Sequence, residues 1–300
     1  MKLVSFRGSG TSLRTGVVRH ETVIDISDSI VDLSLPLERR EELSARGIPQ
    51  PQTGMLRLLY TGEEGMRIAA EAKGPAIPLA GLTLLAPVPR PGKIVAVGRN
   101  YADHAKESGI DPFEKPRIIA KLPSSVVGPG AVVRRPAAVS KLDFEAELGV
   151  VIGKPAANVT LARALDHVAG YSALNDISAR EFQFDVSPPQ TTFAKSMDGF
   201  CPMGPWLVTR DEIADVQALE VSCFVNGERM QHGNTAQMIF SVARLIEYVS
   251  GFMTLEPGDV LATGTPAGVG AFRKPPVWLQ PGDVVRVEVG GIGGLENTIG

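Results

Sequence analysis

The segments KLDFEAELGVVIG, residues 141–153, and GYSALNDISAR, residues 170–180, decide the architecture predicted for this chain. The apolar run from Leu148 to Ile152 favours a buried strand. Side chains alternate faces along a strand, so Glu145 and Glu147 point to the same side. Two anions held so close repel each other unless a proton or a cation lies between them. On a half-exposed strand the same pair would be ordinary surface charge, so the pair alone leaves both interpretations open.

A third acid, Asp176, ends a second apolar segment that runs from Val168 to Leu174. The three carboxylates have no Cys or His close by in the sequence. Oxygen ligands of this kind suit a hard divalent ion better than zinc. The predicted metal is therefore Mg²⁺, with Mn²⁺ and Ca²⁺ as alternatives, held by Glu145, Glu147 and Asp176.

Composition limits the class of protein. The 300 residues carry 30 Lys plus Arg and 33 Asp plus Glu, a net charge of -3. This balance argues against nucleic acid or an anionic membrane as partner, and the 44% apolar content predicts a full core. No apolar run approaches a membrane span, and the amino terminus does not resemble a signal peptide. The expected location is the cytoplasm, with Cys201 and Cys223 as free thiols.

Proline density suggests how the chain divides. Residues 1–74 alternate short strands and turns before a helical stretch around 53–60, which predicts a small α+β N-terminal domain. Residues 75–91 are rich in proline, which stiffens a connection and stops helices, so they are expected to be a linker. The catalytic domain is then expected over residues 92–300.

A possible acid–base pair lies early in this domain. A strand over 94–97 and a turn at Gly98 precede a helix predicted over 101–108, with Asn100 as its N-cap. His104 and Glu107 share a face of that helix, so Glu107 can orient the imidazole to take a proton from water. A solvated helix surface would show the same spacing.

Further polar candidates follow the apolar segments. Lys121 is either a charge that protects an edge strand or a cation beside an anionic substrate. Arg180 and Gln183 are one helical turn apart just after Asp176. The loop over 263–268 offers backbone N–H groups and a hydroxyl to an anion. A hairpin turn is predicted at Asn226-Gly227, an amphipathic helix over 239–249, and a polar loop around His232.

The order and spacing of several motifs resemble the fumarylacetoacetate hydrolase superfamily over roughly residues 92–299. The motifs are GRNYADHAKE, DFEAELGVVIG, YSALNDISARE, FAKSMDGFCPMGP, VNGE and TGTPAGVG. The most similar branch contains acylpyruvate hydrolases, oxaloacetate decarboxylases and 2-hydroxyhepta-2,4-diene-1,7-dioate isomerases. The resemblance implies a mixed, β-rich roll of layered sheets with a few helices, usually a homodimer, with an added N-terminal domain.

The resemblance also implies residue roles. Glu145, Glu147 and Asp176 match the metal ligands, and His104 with Glu107 matches a water-activating pair on a mobile lid. The other matched positions are pocket residues: Lys121, Arg180, Gln183 and Lys195, with Thr265 meeting the substrate carboxylate. One departure is PQTTF at residues 189–193, where close relatives often have an aromatic residue, so substrate size stays open.

These roles predict a hydrolase that cleaves a carbon–carbon bond in a 2,4-dioxo acid, an acylpyruvate or a sugar-derived diketo acid. A pyruvate enolate leaves, and Lys195 or Lys121 offsets its charge. Isomerisation of a 2-hydroxydienoate and decarboxylation of an oxaloacetate-like acid are alternatives, since both use the same enolate. A keto-acid binder without turnover is a third alternative, which the presence of His104 and Glu107 disfavours.

Overall fold

The structure is a computed structural model that describes residues 1–8, 10 and 12–300. The strands are β1 Lys2–Arg7, β2 Arg14–Arg19, β3 Thr22–Asp25, β4 Ala76–Pro78, β5 Thr83–Leu85, β6 Ile94–Gly98, β7 Arg117–Lys121, β8 Val126–Val127, β9 Val132–Val133, β10 Leu142–Asp143, β11 Ala146–Ile152, β12 Val168–Asn175, β13 Ser178–Ala179, β14 Cys201–Thr209, β15 Glu220–Val225, β16 Glu228–Asn234, β17 Val260–Ala262, β18 Val284–Val289 and β19 Gly293–Ile299. The α-helices are α1 Ser27–Val31, α2 Leu37–Ala45, α3 Gly54–Tyr60, α4 Glu63–Glu71, α5 Ala102–Glu107, α6 Arg180–Phe184, α7 Thr191–Ala194 and α8 Val242–Ser250. Within these described residues, no helix is both long and apolar enough to cross a membrane.

A large sheet forms the centre of the fold. Its strand order is β4-β3-β2-β1-β14-β12-β11-β17-β6-β7, with β5 on β1 and β8 on β14. Strands β11 and β12 are antiparallel, and Ala146 lies opposite Asn175. The beginning of β11 therefore meets the end of β12, which is where the acidic residues of the sequence lie.

A second sheet, β16-β15-β18-β19-β9, packs against the first and buries the main apolar core. Leu148 and Val150 of β11 enter this core together with Val221 of β15 and Val287 of β18. Val151 faces the opposite side, in a second core with Leu174 and Val260. Because both faces of β11 are covered, every residue of that strand is buried. The prediction of a mixed, β-rich fold with layered sheets is confirmed.

The N-terminal segment continues the large sheet. Strand β1 pairs with β14, with Leu3 opposite Leu207. Residues of α1, α3 and α4 share the second core with β11, β12 and β17. The division into domains at residues 75–91 stays a prediction. The large sheet and the second core both contain residues from before and after this segment.

Most local predictions agree with the structure, and two differ. The hairpin between β15 and β16 turns at Asn226 and Gly227, whose φ angles of 52° and 84° fit a type I′ turn. Asn100 does not cap α5, because its side-chain oxygen accepts the Phe240 N–H at 2.8 Å. Its amide nitrogen donates to the Phe240 and Thr263 carbonyls at 3.0 and 2.8 Å. His232 lies in β16, opposite Ser222, and not in a loop. Asn100 is held by contacts distant in sequence, which local patterns cannot reveal, whereas the pairing of His232 follows from the hairpin turn at Asn226 and Gly227.

Candidate active site

Three carboxylates converge where β11 begins and β12 ends. Glu145 directly precedes β11, Glu147 lies within it, and Asp176 directly follows β12. The Asp176 N–H donates to the Glu145 carbonyl at 2.9 Å, which fixes the two strand ends together. One carboxylate oxygen from each residue lies within 4.8 Å of the other two, and all three residues are buried. The predicted acidic cluster therefore exists as a geometric unit.

Burial and charge act differently on the two glutamates. Burial raises the pKa of Glu147 well above its ordinary value, and repulsion from Asp176 and Glu145 adds to this effect. Burial also raises the pKa of Glu145, but the nearby Lys195 and Arg180 cations outweigh it and hold that pKa below its ordinary value. Glu147 is therefore the member of the cluster that most needs a proton or another cation.

Two lysines lie against the cluster. The Lys195 ammonium donates to Glu145 Oε2 at 2.9 Å, to Asp176 Oδ2 at 2.7 Å and to Ser178 Oγ at 2.8 Å. Burial lowers the pKa of Lys195, but Asp176 and Glu145 more than compensate, so the pKa lies above its ordinary value. Lys121 Nζ lies 2.7 Å from Asp176 Oδ1. Lys121 is on the outermost strand β7, yet its side chain is buried and points to the cluster.

Arg180 connects the cluster to an acid that the sequence analysis missed. Its Nη2 lies 2.7 Å from Glu145 Oε1, and its Nε donates to Asp143 Oδ2 at 2.8 Å. Asp143 also accepts the Gly270 N–H at 2.7 Å and so fixes a neighbouring loop. Asp143 could have been found, because it precedes Glu145 by the same two-residue step that separates Glu145 from Glu147.

The predicted acid–base pair is formed. His104 Nδ1 and Glu107 Oε1 are 2.7 Å apart, and Glu107 Oε2 accepts the Gly268 N–H at 2.9 Å. The His104 ring is 5% exposed and lies beside the Phe272 ring, with centroids 6.0 Å apart. Glu107 thus fixes the orientation of the imidazole and attaches α5 to the loop over 263–268.

That loop depends on glycine. Gly264 has a φ of 99°, a backbone conformation that favours glycine, and a Cβ there would lie 2.7 Å from the Asn100 Cβ. In this conformation its N–H donates to Glu147 Oε2 at 2.8 Å. The neighbouring Thr265 hydroxyl donates to the Ala146 carbonyl at 2.8 Å and accepts from Gln231 Nε2 at 2.7 Å. The contact of Thr265 with a substrate carboxylate stays a prediction.

These groups surround a cavity of about 30 Å³. The sequence-predicted residues that line it are His104, Glu145, Glu147, Asp176, Arg180, Gln183, Lys195 and Thr265. Glu107 and Lys121 are in the layer behind, each in contact with a lining residue. Lining residues that the sequence analysis did not find include Arg99, Arg117, Phe184 and Phe272. They come from segments whose proximity depends on the tertiary fold.

The cluster suits a divalent cation. Four carboxylates face three cations, which leaves one negative charge if every group is ionised. The carboxylates are Glu145, Glu147, Asp176 and Asp143, and the cations are Lys121, Arg180 and Lys195. A buried excess of this kind requires a proton or a cation, and the raised pKa of Glu147 marks the same place. All three converging donors are oxygens, the type that Mg²⁺, Mn²⁺ and Ca²⁺ prefer.

Comparison with known proteins shows which family the chain belongs to. The family model described as fumarylacetoacetate (FAA) hydrolase C-terminal matches residues 93–300. The human protein named oxaloacetate tautomerase FAHD2A, mitochondrial, is 45% identical over 252 residues, which cover 83% of this chain and 80% of the relative.

Two solved structures have the same fold over the whole chain. The 2-hydroxyhepta-2,4-diene-1,7-dioate isomerase from Mycobacterium marinum has a TM-score of 0.73 at 33% identity, covering 100% of this chain and 98% of its own. The maleylpyruvate hydrolase from Sphingobium sp. SYK-6, in complex with manganese(II) and pyruvate, has a TM-score of 0.73 at 28% identity, with the same coverage. The chain belongs to the fumarylacetoacetate hydrolase family of enzymes, in the branch that the motifs indicated.

Proposed function

We propose that this enzyme catalyses proton transfer at the carbon next to the keto group of a 2-oxo acid, and so interconverts its keto and enol forms. The observation that supports this most directly is one cavity lined by both the buried acidic cluster with Lys195 and the His104 ring. The name of the human relative, an oxaloacetate tautomerase, agrees with it.

Glu145, Glu147 and Asp176 would hold the divalent ion, with Mg²⁺ the first choice and Mn²⁺ or Ca²⁺ the alternatives. When bound, such an ion acts as a Lewis acid that polarises the keto group and favours loss of the adjacent proton. The name of the Sphingobium structure, with manganese and pyruvate, supports a metal of this class.

His104 is the proposed base and acid. Glu107 holds Nδ1 of the imidazole, so Nε2 is the nitrogen that can take a proton from the substrate and return it. Lys195 lies beside the cluster with its ammonium at 2.7–2.9 Å from three oxygens. A cation at this place stabilises the negative charge that develops on the enolate oxygen.

The remaining predicted residues are assigned to binding and positioning. Arg180 and Gln183 interact at 2.9 Å and line the cavity, where they can bind the carboxylate next to the keto group, with Thr265 near it. Lys121 acts through Asp176, which it holds in place.

A keto acid needs more room than the cavity gives. Its volume of about 30 Å³ corresponds to about two water molecules. Substrate entry therefore requires part of the lining to move. If that part is helix α5, the hydrogen bond from the Gly268 N–H to Glu107 is one contact that would break. This agrees with the expectation of a lid at this helix.

Hydrolysis of a carbon–carbon bond in a 2,4-dioxo acid, the first prediction from the sequence, is the second candidate. The His104–Glu107 pair favours it, because a base that removes a carbon-bound proton can also deprotonate water. The name of the Sphingobium relative, a maleylpyruvate hydrolase, agrees with this reaction. A homodimer in the cytoplasm stays a prediction; the name of the human relative places that protein in the mitochondrion.

A direct assay separates the two candidates. The purified protein, stripped with EDTA and reloaded with Mg²⁺ or Mn²⁺, is given enol oxaloacetate, and the loss of the ultraviolet absorbance of the enol is followed. Acetylpyruvate is tested in parallel, with detection of released pyruvate. We expect metal-dependent ketonisation that His104→Gln slows by about 10²- to 10⁴-fold. Metal-dependent release of pyruvate without ketonisation would favour the hydrolase, and neither activity would contradict both.

A further inference from the structure

Two arginines outside the acidic cluster line the same cavity. Arg99 follows β6 and Arg117 begins β7, and the register of these strands places Gly98 opposite Arg117. The side chain of Arg117 packs over Gly98, where a Cβ would lie 3.5 Å from its Cδ. Arg99 has a φ of 57°, unusual for a residue other than glycine. Residues held in this conformation often belong to functional sites.

The carboxylate contacts of the two guanidinium groups decide what the pair can bind. Among the residues that the structure describes, neither forms an ion pair with a carboxylate. Arg99 instead donates from Nε to Ser108 Oγ at 3.1 Å and lies 5.8 Å from the Phe113 ring centroid. By contrast, Arg180 and Lys195, the other cations of the cavity, both contact acids.

This arrangement disfavours the charged form of the Arg99 guanidinium. Burial lowers the pKa of its guanidinium, and repulsion from Arg117 lowers it further. Two like charges beside a partly closed cavity are unfavourable unless an anion joins them. Guanidinium groups bind carboxylates through paired, charge-assisted hydrogen bonds. The pair is therefore suited to a carboxylate that the protein itself does not supply.

We propose that Arg99 and Arg117 bind the second carboxylate of the substrate and make the enzyme selective for 2-oxo dicarboxylic acids over 2-oxo monocarboxylic acids. This rests on the proposed function, in which the carboxylate and keto group at the other end of the substrate face the acidic cluster. The four-carbon acid oxaloacetate belongs to the selected class, and acetylpyruvate does not.

Binding of unreactive analogues tests the proposal without turnover. Isothermal titration calorimetry with the Mn²⁺-loaded protein compares malate with 2-hydroxybutyrate, in which a methyl group replaces the second carboxylate. The variants are Arg117→Gln and Arg99→Asn, since asparagine tolerates the backbone conformation of Arg99. Arg134→Gln is the control, because that arginine is exposed and does not line the cavity.

We expect each variant to weaken malate binding by about 10- to 100-fold, the usual range for loss of one charged hydrogen-bonding group. Binding of 2-hydroxybutyrate should change less than about twofold, and it also shows that the variant is folded. Unchanged malate binding in both variants, or an equal loss for both ligands, would overturn the proposal. Enolisation of oxaloacetate by the wild type is measured separately, so its absence would count against the proposed function and not against the arginine pair.

Discussion

Replacing Glu147 with glutamine should have opposite effects on stability with and without metal. The folded protein raises the pKa of this carboxyl above the ordinary 4.5, so it holds the proton more tightly than the unfolded chain does. The corresponding stability is fully present below about pH 4.5 and is lost as the pH rises through the folded pKa. In EDTA, Glu147→Gln removes this loss, because the amide stays neutral at every pH. The variant should therefore melt higher than the wild type at pH 8, and the difference should shrink towards pH 5.

Metal should reverse this order. Unfolding of 300 residues has an entropy of about 0.6 kcal/mol/K near 60 °C. Mn²⁺ at one hundred times its dissociation constant stabilises the folded state by about 2.7 kcal/mol, which raises the Tm of the wild type by about 4 °C. Loss of one of three carboxylate ligands should weaken affinity at least about 100-fold, the upper end for changes in residues that only support ligands. At the same Mn²⁺ concentration, Mn²⁺ then stabilises the folded variant by about 0.4 kcal/mol, which raises its Tm by under about 1 °C.

Differential scanning fluorimetry at pH 5 and pH 8, with EDTA or Mn²⁺, measures all of these values. Glu296→Gln, an exposed residue on β19, is the matched control and should respond to Mn²⁺ like the wild type. An equal Mn²⁺ response in Glu147→Gln and the wild type would refute Glu147 as a ligand. If, in EDTA, the Tm of the wild type rose relative to that of Glu147→Gln between pH 5 and pH 8, the charge argument would be refuted.

Other positions give simpler tests. His104→Gln should lower kcat for ketonisation by about 10²- to 10⁴-fold, as loss of a general base does, while the Mn²⁺-induced Tm shift is retained. Asp143→Asn removes the buried charge that pairs with a guanidinium and holds the Gly270 loop, so urea unfolding should show a loss of about 3–5 kcal/mol; a loss below 1 kcal/mol would contradict this. Gly170→Ala would place a Cβ 2.1 Å from the Val208 carbonyl oxygen and should prevent soluble expression, whereas Gly81→Ala, with nothing within 4 Å, should not.

The sequence predicted those parts of the site that short-range periodicity governs. The spacing of Glu145 and Glu147 put both on one face of a strand, and the structure places both in the cluster with Asp176. The three-residue spacing of His104 and Glu107 likewise predicted a contact that the structure shows at 2.7 Å. For His104 and Glu107 the backbone geometry of one helix fixes the result. Glu145 directly precedes β11, and Asp176 joins the cluster because the start of β11 pairs with the end of β12.

Other features depended on partners distant in the chain. Asn100 had the residue type and position of a helix cap, but its side-chain oxygen accepts the Phe240 N–H, and its amide nitrogen donates to the Phe240 and Thr263 carbonyls. The sequence allowed two interpretations of Lys121, a charge that protects an edge strand or a cation beside an anionic substrate. Only the tertiary structure, which places the end of β12 near β7, shows Lys121 beside Asp176. A local pattern gives the preference of a side chain, whereas the fold decides which partner satisfies it.

The arginine pair extends the same reasoning from structure to selectivity. The four carboxylates and three cations of the site together carry one negative charge when all are ionised. A bound divalent ion changes this to one positive charge. Arg99 and Arg117 add two positive charges on the same cavity without carboxylate partners among the described residues. A dianion offsets this excess better than a monoanion, so charge balance alone favours a dicarboxylic substrate. Because screening weakens such attraction, the preference for malate over 2-hydroxybutyrate should fall when salt is raised from about 0.01 to 1 M.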